Sequence, residues 1–205
     1  EKLSKLKAGR DFYVSFCPER TVEGNALVEL IKLPQIIGGF SKKCEMKSSI
    51  LWSKLTPSLV RVSSLEAAEL VKLANNTFRD LSFAFSNNLS ILCDKYNINA
   101  HELINAANNG YGRNPIPNPS PGVGGYCLTK DPYIYDSSFE EGSESIKIGE
   151  ISRKSNEVAL KYPINILKKF SHKIKKPLKD FNISIIGIAF KGVPETNDLR
   201  GSTSI

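Results

Sequence analysis

One stretch decides the fold: Ser63 to Tyr96, SSLEAAELVKLANNTFRDLSFAFSNNLSILCDKY, contains neither proline nor glycine. Its apolar side chains recur at three- and four-residue steps between Leu70 and Leu92, which is the period of an amphipathic helix. Ser63 and Glu66 have the S-x-x-E spacing of a capping box, so the helix should begin there. At 1.5 Å per residue the predicted helix is roughly 45 Å long. That length suggests a scaffold shared by two lobes or two subunits.

Shorter elements surround this helix, and strands alternate with helices before it, as in α/β folds. The expected strands are Asp11–Phe16, Gln35–Phe40, Val60–Val62 and the nearly all-apolar Ile183–Ala189. The expected further helices are 41–55, Ala100–Asn109 and 145–172. Pro163 should break or kink the last of these. The segment 112–125 is rich in proline and glycine and is expected to be a loop.

Composition narrows the class of protein. The chain has 205 residues, is 40% hydrophobic and carries a formal net charge of +7. Seven lysines lie between Lys161 and Lys179. We interpret them as a solvated helix face rather than a nucleic-acid site, since no nucleic-acid-binding motif accompanies them. Excess positive charge also suits a protein that binds phosphorylated small molecules.

Four scattered cysteines indicate the compartment. Cys17, Cys44, Cys93 and Cys127 form no C-x-x-C pair, which argues against a metal knuckle or a dithiol redox pair. A reducing, cytoplasmic setting is expected. Cys93 lies among leucines in the helical pattern and is expected to be core. No charged and apolar leader pattern is found, so no signal peptide is expected. The longest apolar run, 183–190, is too short to span a bilayer, so no membrane partner is expected.

The most reactive-looking segment is Pro121–Pro132, PGVGGYCLTKDP. It places Cys127 after a glycine-rich bend, with Lys130 and Asp131 three and four residues later. A nucleophilic thiol needs an approachable backbone, a cation that favours the thiolate and a group that handles protons. The alternative is an ordinary cysteine in a flexible surface loop.

Other polar groups are weaker signals. Lys72 and Asn76 are four residues apart on one helix face and together could stabilise an oxyanion. By spacing alone, a solvated polar stripe is the simpler interpretation. Polar residues also follow two predicted strands, at the sheet edge where open α/β sheets bind ligands. They are Glu19, Arg20, Glu23, Lys191 and Arg200.

Four segments, in this order, resemble the UDP-glucose/GDP-mannose dehydrogenase family, whose members oxidise the C6 alcohol of a nucleotide sugar to a carboxylate. They are FCPERTVEGNAL, the long helix, NNGYGRNPIPNPSPGVGGYCLTKDP and ISIIGIAFKGVPETNDLRGS. The resemblance implies a mixed α/β and all-α architecture. Its parts would be the end of a Rossmann-like NAD-binding lobe (1–64), a central helical dimerisation domain (65–178) and the start of a second, nucleotide-sugar-binding Rossmann-like lobe (179–205). Because the family's glycine-rich fingerprint is absent, the chain is expected to be an internal fragment, inactive in isolation.

The resemblance also implies roles for individual residues. Cys127 would attack a C6 aldehyde and pass through a thiohemiacetal to a thioester. Lys72 and Asn76 would stabilise the oxyanion, while Asp131 would orient or activate water and Glu19 would line the site. The implied substrate contacts are Arg20, Glu23, Arg113, Asn118, Gly122, Gly124, Phe190 and Lys191. The implied NAD contacts are Glu23, Lys130 and Arg200.

The implied assembly is a homodimer built on the long helix, with Arg113 reaching the sugar site of the neighbouring subunit. Two NAD molecules would be consumed per sugar, and Arg20 favours a UDP-N-acetylhexosamine as substrate. Two rival hypotheses stay open. The chain could be a dimerisation scaffold without chemistry, or a cysteine hydrolase. The latter needs a histidine base, and His101 and His172 lie in no catalytic-looking context.

Overall fold

The computed structural model describes residues 2–22, 24–140 and 142–185. The chain divides into two compact units, Glu1–Asn75 and Asn76–Ile205, and the division falls inside the long helix. Helices dominate the described residues, and they accompany one small sheet. The mixed α/β class is therefore confirmed, whereas the assignment of 1–64, 65–178 and 179–205 to family lobes stays a prediction.

Unit 1 contains a three-stranded sheet of β1 (Ser15–Phe16), β2 (Gln35–Gly39) and β3 (Leu59–Val62), in that order. β2 pairs antiparallel with β1 and parallel with β3. The second and third predicted strands are confirmed. The first was predicted too long. Asp11 lies in a turn, where its carboxylate accepts the Lys7 N–H at 2.8 Å, Phe12 forms an isolated bridge with Ala8, and pairing with β2 begins at Ser15.

Unit 1 also contains two helices, α1 (Ala26–Lys32) and α2 (Lys42–Trp52), of which α2 packs on the sheet. The sequence predicted α2 but not α1, which is short and buries none of its residues. Ser41 caps α2, since its side chain accepts the Cys44 N–H. The sheet approaches its neighbours so closely that a Cβ on Gly38 would lie 2.1 Å from the Ser64 carbonyl oxygen, which only glycine avoids.

The long helix α3 runs from Leu65 to Lys95, as the sequence predicted. Its cap lies one residue later than expected. The Ser64 hydroxyl, not that of Ser63, accepts the Ala67 N–H at 3.1 Å. The predicted core position of Cys93 is confirmed, because its side chain is only 2% exposed.

Unit 2 adds α4 (Ala100–Asn108), α5 (Asp131–Ser137), α6 (Ile148–Lys173) and a 3₁₀ turn at Leu178–Asp180. The helix predicted from Ala100 and the loop over 112–125 are confirmed, whereas α5 was not predicted. The helix predicted over 145–172 is confirmed as α6. Pro163 was expected to break or kink it, and α6 runs through this residue without a break.

The predicted strand Ile183–Ala189 lies mostly outside the described residues, and 183–185 carry no strand. Glu23, Phe190, Lys191 and Arg200 also lie outside them. Among the helices of 2–22, 24–140 and 142–185, none combines the length and the apolar character needed to cross a bilayer.

Candidate active site

Unit 1 contributes an ion pair between Glu19 and Lys72. Lys72 Nζ lies 3.4 Å from Glu19 Oε2, and its side chain is 24% exposed against 59% for the carboxylate. Burial would raise the pKa of Glu19, but hydrogen bonds from Thr21 and the charge of Lys72 bring the pKa below its ordinary value. The loop after β1 therefore places the ionised carboxylate of Glu19 beside the ammonium of Lys72 on α3. Both are predicted site residues.

Arg20 is already engaged within the same unit. Its Nη2 donates to the Pro34 carbonyl oxygen at 2.6 Å, at the start of β2. This contact anchors the loop after β1 beside the sheet. Its predicted role as a substrate contact stays a prediction.

Unit 2 brings Asn76 and Asp131 together, although they are 55 positions apart in the sequence. Asn76 Nδ2 donates to Asp131 Oδ2 at 2.6 Å. The Lys130 ammonium pairs with the other oxygen of this carboxylate. Asp131 is only 1% exposed, so its carboxylate is a buried polar group that two side chains satisfy.

Cys127 lies in the turn that leads into α5. Its side chain is half-buried and free of any disulfide. Its carbonyl oxygen accepts the Lys130 N–H at 3.2 Å and the Asp131 N–H at 2.9 Å. The pKa of Lys130 is raised chiefly by its hydrogen bond to Asp131, with burial opposing, and the charge of Cys127 adds to the rise. We call Asn76, Cys127, Lys130 and Asp131 the reactive cluster.

A close packing of α5 on α6 fixes Asp131. The Asp136 carboxylate accepts the N–H groups of Gly149 and Glu150 at 3.0 and 2.6 Å, which caps the start of α6. A Cβ on Gly149 would lie 2.1 Å from the Pro132 carbonyl oxygen, so glycine is required there. Both contacts hold the short helix whose first residue is Asp131.

The loop before Cys127 carries four further predicted residues. Gly122 is buried and has a φ of +92°, where a Cβ would lie 2.6 Å from Leu160 on α6. Gly124 is half-buried. The exposed Asn118 side-chain oxygen lies 3.3 Å from His101 Nδ1, and the exposed Arg113 guanidinium lies 5.5 Å from the centre of the Tyr111 ring. Their roles with substrate stay predictions.

Sequence reasoning missed a set of buried polar residues between α3 and α6, which we call the polar ladder. It consists of Asp80, Asn87, Ser152, Arg153 and Asn156, each at most 7% exposed. Asp80 accepts from Arg153 Nη1 at 2.8 Å, from Ser152 Oγ at 2.6 Å and from Asn156 Nδ2 at 2.9 Å. Asn156 Oδ1 in turn accepts from Asn87 Nδ2 at 3.0 Å.

The described residues contain no cluster of three or more histidine, cysteine or acidic side chains that could hold a metal ion. Of the predicted NAD contacts, Lys130 is the one that the described part of the chain includes. Its side chain is 59% exposed, so its ammonium is accessible to an anionic ligand.

Residues 66–158 match the UDP-glucose/GDP-mannose dehydrogenase family, central domain. A UDP-N-acetyl-D-mannosamine dehydrogenase of Pyrococcus horikoshii is 35% identical over all of the chain and 48% of its own length. An NDP-N-acetyl-D-galactosaminuronic acid dehydrogenase of Ralstonia nicotianae is 35% identical over 95% of the chain and 44% of its own length.

Solved structures agree. The structure of a UDP-D-ManNAc dehydrogenase from Pyrococcus horikoshii is similar with a TM-score of 0.83 and 33% identity, over 92% of this chain and 44% of that one. The chain thus spans about half the length of the curated relatives it matches. The resemblance that the motifs indicated is confirmed.

Proposed function

We propose that the full-length polypeptide containing this chain is an NAD-dependent nucleotide-sugar 6-dehydrogenase, since residues 66–158 belong to the central domain of the UDP-glucose/GDP-mannose dehydrogenase family. One observation carries the proposal. Within the matched segment, Asn76 and Lys130 both contact the buried Asp131 carboxylate, and the half-buried Cys127 lies four residues before Asp131 in the turn that leads into α5. These are the groups that a covalent aldehyde oxidation requires.

The proposed reaction removes four electrons from C6 of a UDP-sugar. The alcohol first loses a hydride and a proton and becomes an aldehyde. The sulfur of Cys127 then bonds to the aldehyde carbon, and the thiol proton passes to the oxygen, which gives a thiohemiacetal. Loss of a second hydride and a proton leaves a thioester. Water breaks the carbon–sulfur bond, which releases the carboxylate and restores the thiol.

Each residue of the reactive cluster has a task in this sequence. The amide of Asn76 would donate to the oxygen of the thiohemiacetal, where negative charge develops, as oxyanion donors do. Asp131 would orient water and accept its proton during opening of the thioester. Outside the reactive cluster, Lys72 on α3 keeps its proposed role of stabilising the oxyanion and helping to move protons, and Glu19 its proposed role of lining the site.

NAD would supply the hydride acceptor in both oxidations, so two NAD molecules are needed per sugar. The chemistry of Lys130 fits this cofactor, because its exposed ammonium attracts the diphosphate of a dinucleotide. Glu23 and Arg200, the other proposed contacts, belong to the same assignment.

A UDP-N-acetylhexosamine is the proposed substrate. The two curated relatives carry the names of dehydrogenases of N-acetylated nucleotide sugars. Arg20 supports the same substrate. The enzyme would act in the reducing cytoplasm, which suits its four free thiols.

A homodimer through α3 completes the proposal. Phe78, Phe85 and Leu92 are seven residues apart on α3 and are 72%, 58% and 51% exposed. A stripe at this spacing fits a second copy of the same helix, as in paired helices. The same stripe favours the rival hypothesis of a dimerisation scaffold without chemistry. Phe85→Glu should convert the dimer to monomer in gel filtration.

The decisive experiment measures NADH formed by the full-length polypeptide from a panel of UDP-sugars. We expect two NADH per UDP-N-acetylhexosamine consumed. Cys127→Ser should lower the rate by at least about 10³-fold, since the nucleophile acts as a unit with its neighbours. Cys93→Ala, which alters a buried thiol in the same unit, should keep the activity. Activity in Cys127→Ser equal to wild type would contradict the covalent mechanism.

A further inference from the structure

The polar ladder between α3 and α6 reaches the loop that carries Cys127 at two points. Asn87 Oδ1 accepts the backbone N–H of Ser120 at 2.8 Å. Arg153 Nη2 donates to the backbone carbonyl of Val123 at 3.5 Å. Two ladder side chains therefore hold the backbone of this loop, one at the N–H of Ser120 and one at the carbonyl of Val123. The other ladder residues fix both side chains.

Asn87 and Arg153 are themselves held by buried contacts within the polar ladder. Arg153 is paired with the fully buried Asp80, and Asn87 is bonded to Asn156 at 3.0 Å. Since Asp80 also accepts from Asn156 at 2.9 Å, the two points of attachment share one network. Neither side chain can move without breaking a buried hydrogen bond, which is costly.

The held segment also lies directly against α6. Gly122, between the two attached residues, is buried, and a Cβ there would meet Leu160 at 2.6 Å. Cys127 follows Val123 by four residues, and its own carbonyl is tied to the first turn of α5. Cys127 therefore lies between two fixed segments. The polar ladder holds the segment before it, and the first turn of α5 holds the segment after it.

We propose that Asn87 and Arg153 are positioning residues for the Cys127 nucleophile, which they act on through Ser120 and Val123. The catalytic part of this inference rests on the proposed function. A displacement of about 1 Å in a reacting group can cost about 10²-fold in rate. A loop that is released from the ladder should therefore lose turnover even though every catalytic side chain is retained.

The test uses two variants of the full-length polypeptide. Arg153→Lys keeps a cation for Asp80 but has only one nitrogen, so the Val123 contact is lost. Asn87→Ala removes the acceptor of the Ser120 N–H. The matched control is Asn88→Ala, which alters the exposed neighbour of the same residue type. The readouts are kcat and KM for the UDP-sugar, together with the rate at which iodoacetamide alkylates Cys127 and Cys93, followed by peptide mass spectrometry.

Both variants should lower kcat about 10²-fold, and alkylation of Cys127 should become several-fold faster because the released loop exposes the thiol. Alkylation of the buried Cys93 should stay as slow as in wild type and in Asn88→Ala. A purely structural role predicts a different pattern, in which Cys93 and Cys127 become reactive together.

Two results would overturn the inference. One is Arg153→Lys with wild-type kcat and wild-type alkylation of Cys127. The other is equal acceleration of both thiols in the two variants. Failure of the proposed function gives a separate signature, in which Cys127→Ser stays active or no NADH forms, while the alkylation of Cys127 still responds selectively to the ladder variants.

Discussion

The reactive cluster and the polar ladder of unit 2 each contain a buried aspartate, but the exposure of its cationic partner differs between them. Asp80 in the ladder is 0% exposed, and its partner Arg153 is 8% exposed at the side chain. Asp131 in the reactive cluster is as deeply buried, but its partner Lys130 is 59% exposed. When both side chains of an ion pair are buried, breaking the pair leaves an unpaired charge inside the protein, so the pair stays formed. When one side chain is exposed to solvent, it can leave its partner and bind a ligand instead. The comparison separates polar groups that build the fold from those available for chemistry.

The largest expected effect comes from breaking the sealed pair. Arg153→Met should lower the free energy of unfolding by about 3–5 kcal/mol, because it leaves the Asp80 charge buried without a cation. Chemical denaturation of the full-length polypeptide measures this. Lys154→Met, which breaks an exposed ion pair with Glu150, should leave the free energy of unfolding almost unchanged, because surface ion pairs contribute little. An equal loss of unfolding free energy in the two variants would contradict the claim that the buried pair stabilises the fold more than the exposed pair.

The next effect is on turnover. Asn76→Ala should lower kcat by about 10²–10³-fold, since it removes a donor to the developing oxyanion. Asn75→Ala alters the exposed neighbour on the same helix and should leave kcat unchanged. If the two variants have equal kcat, Asn76 belongs with the structural groups rather than with the reactive cluster.

A smaller effect is expected at Lys130. Lys130→Met should cost less than about 1 kcal/mol of stability, because the ammonium is largely solvated. Its pKa is raised, chiefly by the hydrogen bond to Asp131. Stability from a raised pKa is fully present below the ordinary value of about 10.4 and is lost as pH rises through the raised one. The difference from wild type should therefore be present at neutral pH and vanish in strong alkali. A difference that grows with pH would contradict this pairing.

The smallest effect concerns Tyr162 on α6, whose hydroxyl donates to Asp94 at 2.7 Å. This hydrogen bond, burial and the charge of Asp94 raise the pKa of Tyr162 to about 12. The associated stability should persist to the ordinary tyrosine pKa of about 10 and disappear as pH rises through the raised value. Phenolate absorbance, read as the difference between wild type and Tyr162→Phe, reports the titration. Asp94→Asn should move it to lower pH, and an unmoved titration would refute the cause.

Elements with strong local signals could be predicted from the sequence. The apolar period and the absence of breakers defined α3, and the β-rich runs at 35–40 and 60–62 defined two strands. The short helices α1 and α5, seven residues each, could not be predicted. The position of α5 depends on tertiary contacts such as that of Asp136 with the start of α6, and α1 buries none of its residues.

The candidate site could be predicted where its residues are close in the sequence, and not where they come together only in the fold. Cys127, Lys130 and Asp131 lie within five residues, so spacing alone indicated them. Asn76 was only a weak signal through its spacing to Lys72, and the family resemblance gave it a role, because no local pattern links it to Asp131 across 55 positions. The ladder was missed since polar residues in a helical pattern normally face water, and only the packing of α3 on α6 shows that Asp80 and Arg153 do not.

A covalent sugar on sulfur is the central claim, and mass spectrometry tests it most directly. The Asp131→Asn variant of the full-length polypeptide should open the thioester slowly. After reaction with NAD and a UDP-N-acetylhexosamine and an acid quench, we predict that the peptide containing Cys127 carries the mass of the sugar acyl group. Product formed at the wild-type rate, with that peptide unmodified, would contradict the account.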